Sequence, residues 1–466
     1  MGETERVVVV GCSGCGASAA LRAKTLAPSL DVTIIREHEE QGLLTRCVTP
    51  YICCGDVMVA PSYKSDSIFT DLGIHLVNVH AVEIDRASRK VTTADGKVHP
   101  YDKLVLAMGA RPVPLPVPGI DLPGVFTLRT SGDAVSILHW LNARRVIRAV
   151  LIGAGAIGVE EAYLLSDQGV GLTVVEMCQH VMPLVLDSDM SQQVHQNMKG
   201  KGINLKLNQR VTAIEGARRV ERVVLASGEK VEAGMVIASA GVRPNVELAV
   251  KAGLKSGKLG LIVDDFLQTS DKNIYAGGDL IEYANHVTGK TGLGQLRPNA
   301  VIAGRVIAKN ILGHGVVYPP FINAFCTKFY DMSIAGAGLT DEQARENGIE
   351  TVAVTQASTS QHSMMRGRKS YTVKLIFRKD NRTLIGGQIV SESDTVVRYI
   401  DVIALAIRNN LTAQDLCTFR SAGQPELSPD PGKEPIALAA ELALQSNNTH
   451  KAVRSHPTRR LTSASP

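Results

Sequence analysis

The stretch AVLIGAGAIGVEEAYLLSDQGVGLTVVEM, residues 149–177, decides the fold. A run of branched aliphatic residues enters a glycine turn, helix formers follow, and a second β-branched run closes the stretch. That order is the strand, turn, helix, strand of one βαβ unit. Gly153, Gly155 and Gly158 set the spacing GxGxxG. The first glycine permits a tight turn, the second lets backbone approach a pyrophosphate, and the third lets helix and strand pack closely. The helix start then turns its unpaired N–H groups toward the phosphates. Glu176 ends the second strand, 18 residues after Gly158. A carboxylate there accepts hydrogen bonds from a ribose 2′-hydroxyl and repels a 2′-phosphate, so NADH is expected and NADPH is disfavoured.

The same grammar opens the chain. RVVVVGCSGCGASAALRAKTLAPSLDVTIIRE, residues 6–37, reads as a second βαβ unit with Gly11, Gly14 and Gly16 in its turn. Ser13 stands where the middle glycine is usual, and the acid, Glu37, comes one place late, behind Arg36. A second nucleotide contact is expected at Glu37. Between the two units, VPLPVPGIDLPG (113–124) is too stiff and too poor in N–H donors for sheet interior. From about Phe325 the pattern changes to strands such as YTVKLIF and LIGGQIV and the helix VVRYIDVIALAIRNN, an α+β unit with no glycine loop. The last residues, NNTHKAVRSHPTRRLTSASP, are polar and unpatterned and are expected to be disordered.

Bulk properties agree. A chain of 466 residues exceeds what one hydrophobic core supports. Its 42 glycines, 44% hydrophobic and 4% aromatic content suit an α/β enzyme. No apolar run reaches the ~18 residues of a membrane span, and MGETERVVVVG runs straight into a strand, so a cytoplasmic chain with no membrane partner is expected. The net charge of +5 owes part of its value to Lys451, Arg454, Arg459 and Arg460 in the tail, so nucleic acid is not implied. Eight cysteines without extracellular signals read as reduced thiols. Cys12 and Cys15 form a CxxC inside the glycine turn with no second pair nearby, which fits small residues packed under a phosphate loop better than a metal site.

Together with the two glycine loops, YDKLVLAMGARP (101–112), ASAGVRPN (238–245) and TSDKNIYAGGDLIE (269–282) resemble the pyridine nucleotide-disulfide oxidoreductases. The resemblance implies an α/β chain with two nested Rossmann-like domains, one for FAD and one for NAD, and a C-terminal α+β dimerisation domain. The expected boundaries are 1–118 and 246–322 for the FAD domain, 119–245 for the NAD domain and 323–446 for dimerisation, with 447–466 as tail. It also implies a homodimer, Asp279 on the FAD ribityl chain, cofactor contacts at Arg111 and Gly241, and Glu160 near the nicotinamide.

Within that family, TRCVTPYICCGDV (45–57) looks like the single-cysteine branch, which includes coenzyme A disulfide reductase, NADH oxidase and NADH peroxidase. Cys47 matches the redox cysteine. Cys53 and Cys54 lie about 9–10 Å further along if the segment is helical, too far for a disulfide. A helix start and the neighbouring Arg46 would favour the Cys47 thiolate. The branch's oxidases and peroxidases carry a histidine at the position of Gly14, so the acceptor expected here is a small disulfide, persulfide or polysulfide. Arg22 matches an arginine that contacts coenzyme A in relatives, whereas Leu43, Arg46 and Gly423 depart from the coenzyme A pattern. The alternatives are an NADH-dependent electron-transfer reductase for a protein or quinone and a cofactor-binding redox sensor.

Overall fold

The computed structural model describes residues 4–37 and 43–445, so the tail expectation at 447–466 lies outside the described residues. Val7, Val8, Val9 and Val10 are all buried, as an unbroken β-branched run must be when both faces of its strand are covered. They form β1 (Arg6–Val10), followed by helix α1 (Gly14–Leu26), β2 (Asp31–Ile35), the short helix α2 (Thr49–Cys53), β3 (His75–Val77) and β4 (Lys103–Leu106). These strands pair in parallel in the order β4-β1-β2-β3.

The second unit repeats the plan. β5 (Val125–Phe126), β6 (Arg148–Ile152), helix α3 (Ala156–Asp167), β7 (Gly171–Val175), β8 (Asn204–Lys206) and β9 (Met235–Ala238) give a parallel sheet ordered β5-β9-β6-β7-β8. The chain leaves the first unit through Ala110–Pro112 and returns through Val242–Pro244, and these two segments pair antiparallel. Then β10 (Ile274–Ala276) adds to the first sheet beside β4, so the second unit is an insertion in the first. Helix α4 (Arg297–Ile311) lies along α1. Gly304 makes that crossing possible, since a Cβ there would stand 2.2 Å from the Cys15 carbonyl oxygen.

The third unit is an antiparallel sheet of β11 (Phe325–Phe329), β12 (Met332–Gly338), β13 (Thr351–Thr359), β14 (Ser370–Arg378) and β15 (Leu384–Ser391), ordered β11-β12-β15-β14-β13. Helix α5 (Tyr399–Arg408) covers it with Ile400, Ile403, Ala406 and Ile407, a helical stripe, and leaves Leu405 exposed. A buried polar cluster ties this unit to the second. Asp187 takes Lys374 Nζ at 3.0 Å and Gln388 Nε2 at 2.6 Å, all three side chains being buried. Among the described residues, no helix is long and apolar enough to cross a membrane, and no cluster of three or more His, Cys, Asp or Glu could hold a metal ion.

Candidate active site

Each of the two parallel-sheet units carries a glycine cradle, after β1 in the first and after β6 in the second. In both, the first glycine has φ +105°, and a Cβ on Gly11 would lie 2.3 Å from the Ala107 carbonyl oxygen. The third glycines pack on the first: a Cβ at Gly16 would meet the Gly11 oxygen at 1.9 Å, and one at Gly158 would meet that of Gly153 at 2.1 Å. Gly155 differs, because a Cβ there would meet nothing within 4 Å; its surface is open. Gly14, in contrast, lets α4 come near, with Ala300 Cβ at 3.3 Å from its would-be side chain.

The helix starts support the same reading. Helices beginning after Thr130, Thr340 and Thr412 each carry a full capping box. By contrast α1, starting after Ser13, and α3, starting after Gly155, have no side-chain cap and no acid in the first turn. Their N–H groups remain unpaired by side chains and the helix dipole adds positive potential, which fits a pyrophosphate at each loop.

Backbone bonds align the two units. Gly153 N donates to Val175 O and Gly11 N donates to Ile35 O, each at 2.8 Å. Glu176 therefore corresponds to Arg36 and not to Glu37. Glu176 is buried, accepting from Ala154 N at 2.7 Å and Cys178 N at 2.9 Å, which braces the glycine turn from the strand end. Arg36 is buried in the matching place but turns to Asp66 and to Asn78, whose Oδ1 is 2.7 Å from Nε. Glu37 lies one residue beyond, exposed. The acid that sequence places late is late in space as well.

Asp279 sits in the turn Gly278–Leu280 after β10, held by Arg129 Nη2 at 2.9 Å. Cys15 lies beneath it, since a Cβ at Gly277 would be 2.8 Å from its Sγ. Burial, reinforced by the Asp279 carboxylate, pushes the Cys15 thiol up to about 12, so this cysteine packs and does not react. Gly241 follows β9 with φ +100° and open space where a side chain would be. Arg111 spends its guanidinium on Asn245, at 2.9 Å, and on Glu247, fastening the two crossing segments.

Cys47 is exposed, whereas Cys53 and Cys54 are buried, and none of the eight cysteines forms a disulfide. Helix α2 carries Cys53 away from Cys47 and its thiol donates to Pro50 O at 2.9 Å. Glu160, near the start of α3, reaches β11, where its Oε1 accepts from Thr327 Oγ1 at 2.6 Å. Burial pushes the Glu160 carboxyl up, the threonine partly offsetting it. The next residue, Glu161, is fully buried; its Oε2 accepts from Ser239 Oγ at 3.1 Å, and its Oε1 has no partner among the described residues.

The electrostatics correct one expectation. Burial first, and then Glu160, push the Cys47 thiol up from its ordinary value; Arg297 pulls it down, and Asp279 adds a smaller upward push. Arg46 does not dominate that balance, and its Nη1 donates to Arg129 O at 3.0 Å. The short helical turn at Cys47 leaves the protein alone favouring the thiol. Arg297, which opens α4, is thus a site residue that sequence reading missed, and nothing in LRPN marks it. Cys47 interacts at once with Glu160 of the second unit and with Asp279 and Arg297 of the first. The exposed Cys47 sulfur thus lies within the fields of a half-buried acid from the second unit and an exposed cation from the first.

Comparison with known proteins agrees with that geometry. A model of the pyridine nucleotide-disulphide oxidoreductases matches residues 5–304, and a model of their dimerisation domain matches residues 325–430. The NADH oxidase of Methanocaldococcus jannaschii is 33% identical over 457 residues, 94% of this chain and 99% of that protein. The NAD(P)H coenzyme A polysulfide/persulfide reductase of Pyrococcus horikoshii is 33% identical over 439 residues, 92% of this chain and 97% of that protein. Among solved structures, an NAD-dependent persulfide reductase from A. fulgidus matches with a TM-score of 0.90 at 32% identity, covering 98% of this chain and 89% of that one. The chain belongs to the pyridine nucleotide-disulphide oxidoreductases, FAD-dependent enzymes that use NAD(P)H.

Proposed function

We propose that this chain reduces a small disulfide, persulfide or polysulfide through Cys47 at the expense of NADH, as a homodimer in the cytoplasm. The carrying observation is the placement of the exposed Cys47 thiol within the fields of Glu160, Arg297 and Asp279 together. FAD is held by Gly11, Gly16 and Asp279, and NADH by Gly153, Gly155, Gly158 and Glu176. Glu176, its carboxylate fixed by two backbone N–H groups, gives the preference for an unphosphorylated ribose. FAD, when bound, would supply the two-electron carrier between NADH and the mixed disulfide on Cys47.

The Cys47 thiolate attacks the acceptor's S–S bond, forming a mixed disulfide on Cys47 and releasing the first sulfur as thiolate or sulfide. Two electrons then cleave the mixed disulfide, which releases the second thiolate and restores that of Cys47. Glu160 takes the thiol proton and returns it to a departing sulfur in this reading, which is supported by the burial that keeps its carboxyl more basic than usual.

A coenzyme A-linked acceptor fits a groove of about 510 Å³ beside α1 and α4, lined by Ser18, Leu21, Arg22, Thr25, Arg305 and Lys309. Its three cations suit phosphates. At 1.5 Å per residue, Arg22 lies about 12 Å along α1 from Gly14 and Lys309 about 18 Å along α4 from Arg297. That span suits a pantetheine arm running back toward Cys47. Homodimer formation rests on the match of residues 325–430 to the dimerisation domain, and eight cysteines outside any disulfide suit a reducing compartment.

Anaerobic NADH oxidation with polysulfide, coenzyme A disulfide and a quinone tests the assignment. Turnover with a sulfur acceptor well above that with quinone is the expected result; turnover with quinone alone would make the chain an electron-transfer reductase. Gly155→Asp tests the second cradle. Its side chain enters open space, so the protein should melt as wild type does, while a carboxylate at the helix mouth raises the KM for NADH at least about tenfold. An unchanged KM would remove the pyrophosphate from this loop.

A further inference from the structure

Arg297 is an exposed guanidinium with an arranged position. Its Nη2 lies 3.3 Å from Thr45 Oγ1, two residues before Cys47. Its Cγ lies 3.9 Å from the place a side chain would occupy on Gly14, so the stem rests in van der Waals contact with the first glycine loop. Arg129, the neighbouring cation, is committed to Asp279. Among the described residues, no carboxylate lies within ion-pair distance of Arg297. An arginine held at a reactive sulfur without a carboxylate partner retains its donors for an anion that arrives from solution.

We propose that Arg297 is the anion-recognising residue of the sulfur site, selecting acceptors that carry a negative charge beside the scissile S–S bond. The inference rests on the sulfur-reductase reading above and deepens it: the preferred substrate class is the persulfide or polysulfide anion rather than a disulfide flanked by neutral groups. The guanidinium holds the terminal anionic sulfur while the Cys47 thiolate attacks the adjacent one, and it receives the charge of the departing sulfide. It also offsets the repulsion that an anionic acceptor meets from Glu160 and from the thiolate itself.

Two measurements test it on the FAD-loaded enzyme, with Arg297→Met to preserve the packed stem and Arg297→Lys to restore the charge. In the first, kcat/KM is compared for polysulfide and for the uncharged hydroxyethyl disulfide. The ratio of the two should fall roughly tenfold in Arg297→Met through the KM for polysulfide, and recover in part in Arg297→Lys. In the second, the NADH-free enzyme is alkylated with anionic iodoacetate and neutral iodoacetamide, and modification of Cys47 is followed by peptide mass spectrometry. Both reagents need the thiolate, so the ratio of their rates reports the anion site and cancels any change in thiol acidity. A drop of similar size in Arg297→Met is expected. Ratios equal to wild type in both experiments overturn the role of Arg297 while leaving the sulfur reading intact. Wild-type enzyme silent toward these two acceptors and toward coenzyme A disulfide overturns the sulfur reading, and the alkylation ratio still decides whether Arg297 attracts anions at Cys47.

Discussion

Cys47→Ser should lower turnover with the sulfur acceptor by on the order of a thousandfold or more, with bound FAD and thermal stability close to wild type. The size follows from chemistry rather than geometry. A serine hydroxyl occupies nearly the same volume but cannot form the mixed disulfide, so the covalent route is lost and only direct reduction of bound acceptor is left. Stability should hardly move, because Cys47 is exposed and no core packing depends on it. The neighbouring cysteines give the contrast. Cys53 is buried with its thiol bonded to Pro50 O, so Cys53→Ser should be felt mainly as lost stability. Steady-state kinetics beside a flavin absorption spectrum and a melting curve separate the two. A Cys47→Ser enzyme that keeps full turnover with polysulfide would make this thiol a bystander and send the electrons to the acceptor by another path.

The two cradles were legible because their information is local. A glycine needed for φ +105°, and another needed because a Cβ would strike the first, leave a fixed spacing that can be read in ten residues. The α+β unit after Phe325 was legible for a similar reason, since short runs rich in aliphatic residues and a 3.6-period helix mark its buried strands and the helix that covers them. What escaped reading is what depends on register and on distant contact. Nothing in TIIRE says that β2 ends at Ile35; the bond from Gly11 N to Ile35 O fixes it, and leaves Glu37 one place beyond the position of Glu176, as its late place in the sequence implies. Arg46 looked like the cation for Cys47 because it is adjacent in sequence, yet adjacent side chains need not face one point. Arg297, 250 residues away, takes the larger part through the meeting of α4 with Thr45 and Gly14. The groove cations show the same limit: Arg22 was legible through its resemblance, but its companions Arg305 and Lys309 join it only when α4 lies along α1.

Glu161→Gln should stabilise the protein at neutral and alkaline pH, by an amount that grows between about pH 4.5 and pH 8. The pair Glu160-Glu161 looks in sequence like two acids near a helix start, where the dipole favours both. In space, the turn of about 100° per residue separates them: Glu160 meets Thr327 at the site, and Glu161 points into the protein without exposed surface. Burial pushes the Glu161 carboxyl from 4.5 up to about 8; Ser239 relieves this in part, and the Glu160 charge opposes ionisation further. The sign follows from proton counting. Between those two values the folded chain keeps a proton that the unfolded chain has released, so stability falls as pH rises through that window and levels off above it. Each tenfold gain in proton affinity on folding corresponds to about 1.4 kcal/mol, which puts the accumulated destabilisation at pH 8 at roughly a few kcal/mol. Glutamine is neutral at every pH and fits the same volume, with its carbonyl oxygen able to accept from Ser239. Wild type and Glu161→Gln should therefore unfold alike near pH 4.5 and separate progressively toward pH 8, the variant melting several degrees higher. Denaturant or thermal unfolding across that range checks it. Parallel curves would mean that the carboxyl ionises freely in the folded chain, and hence that water or a cation reaches its unpartnered oxygen.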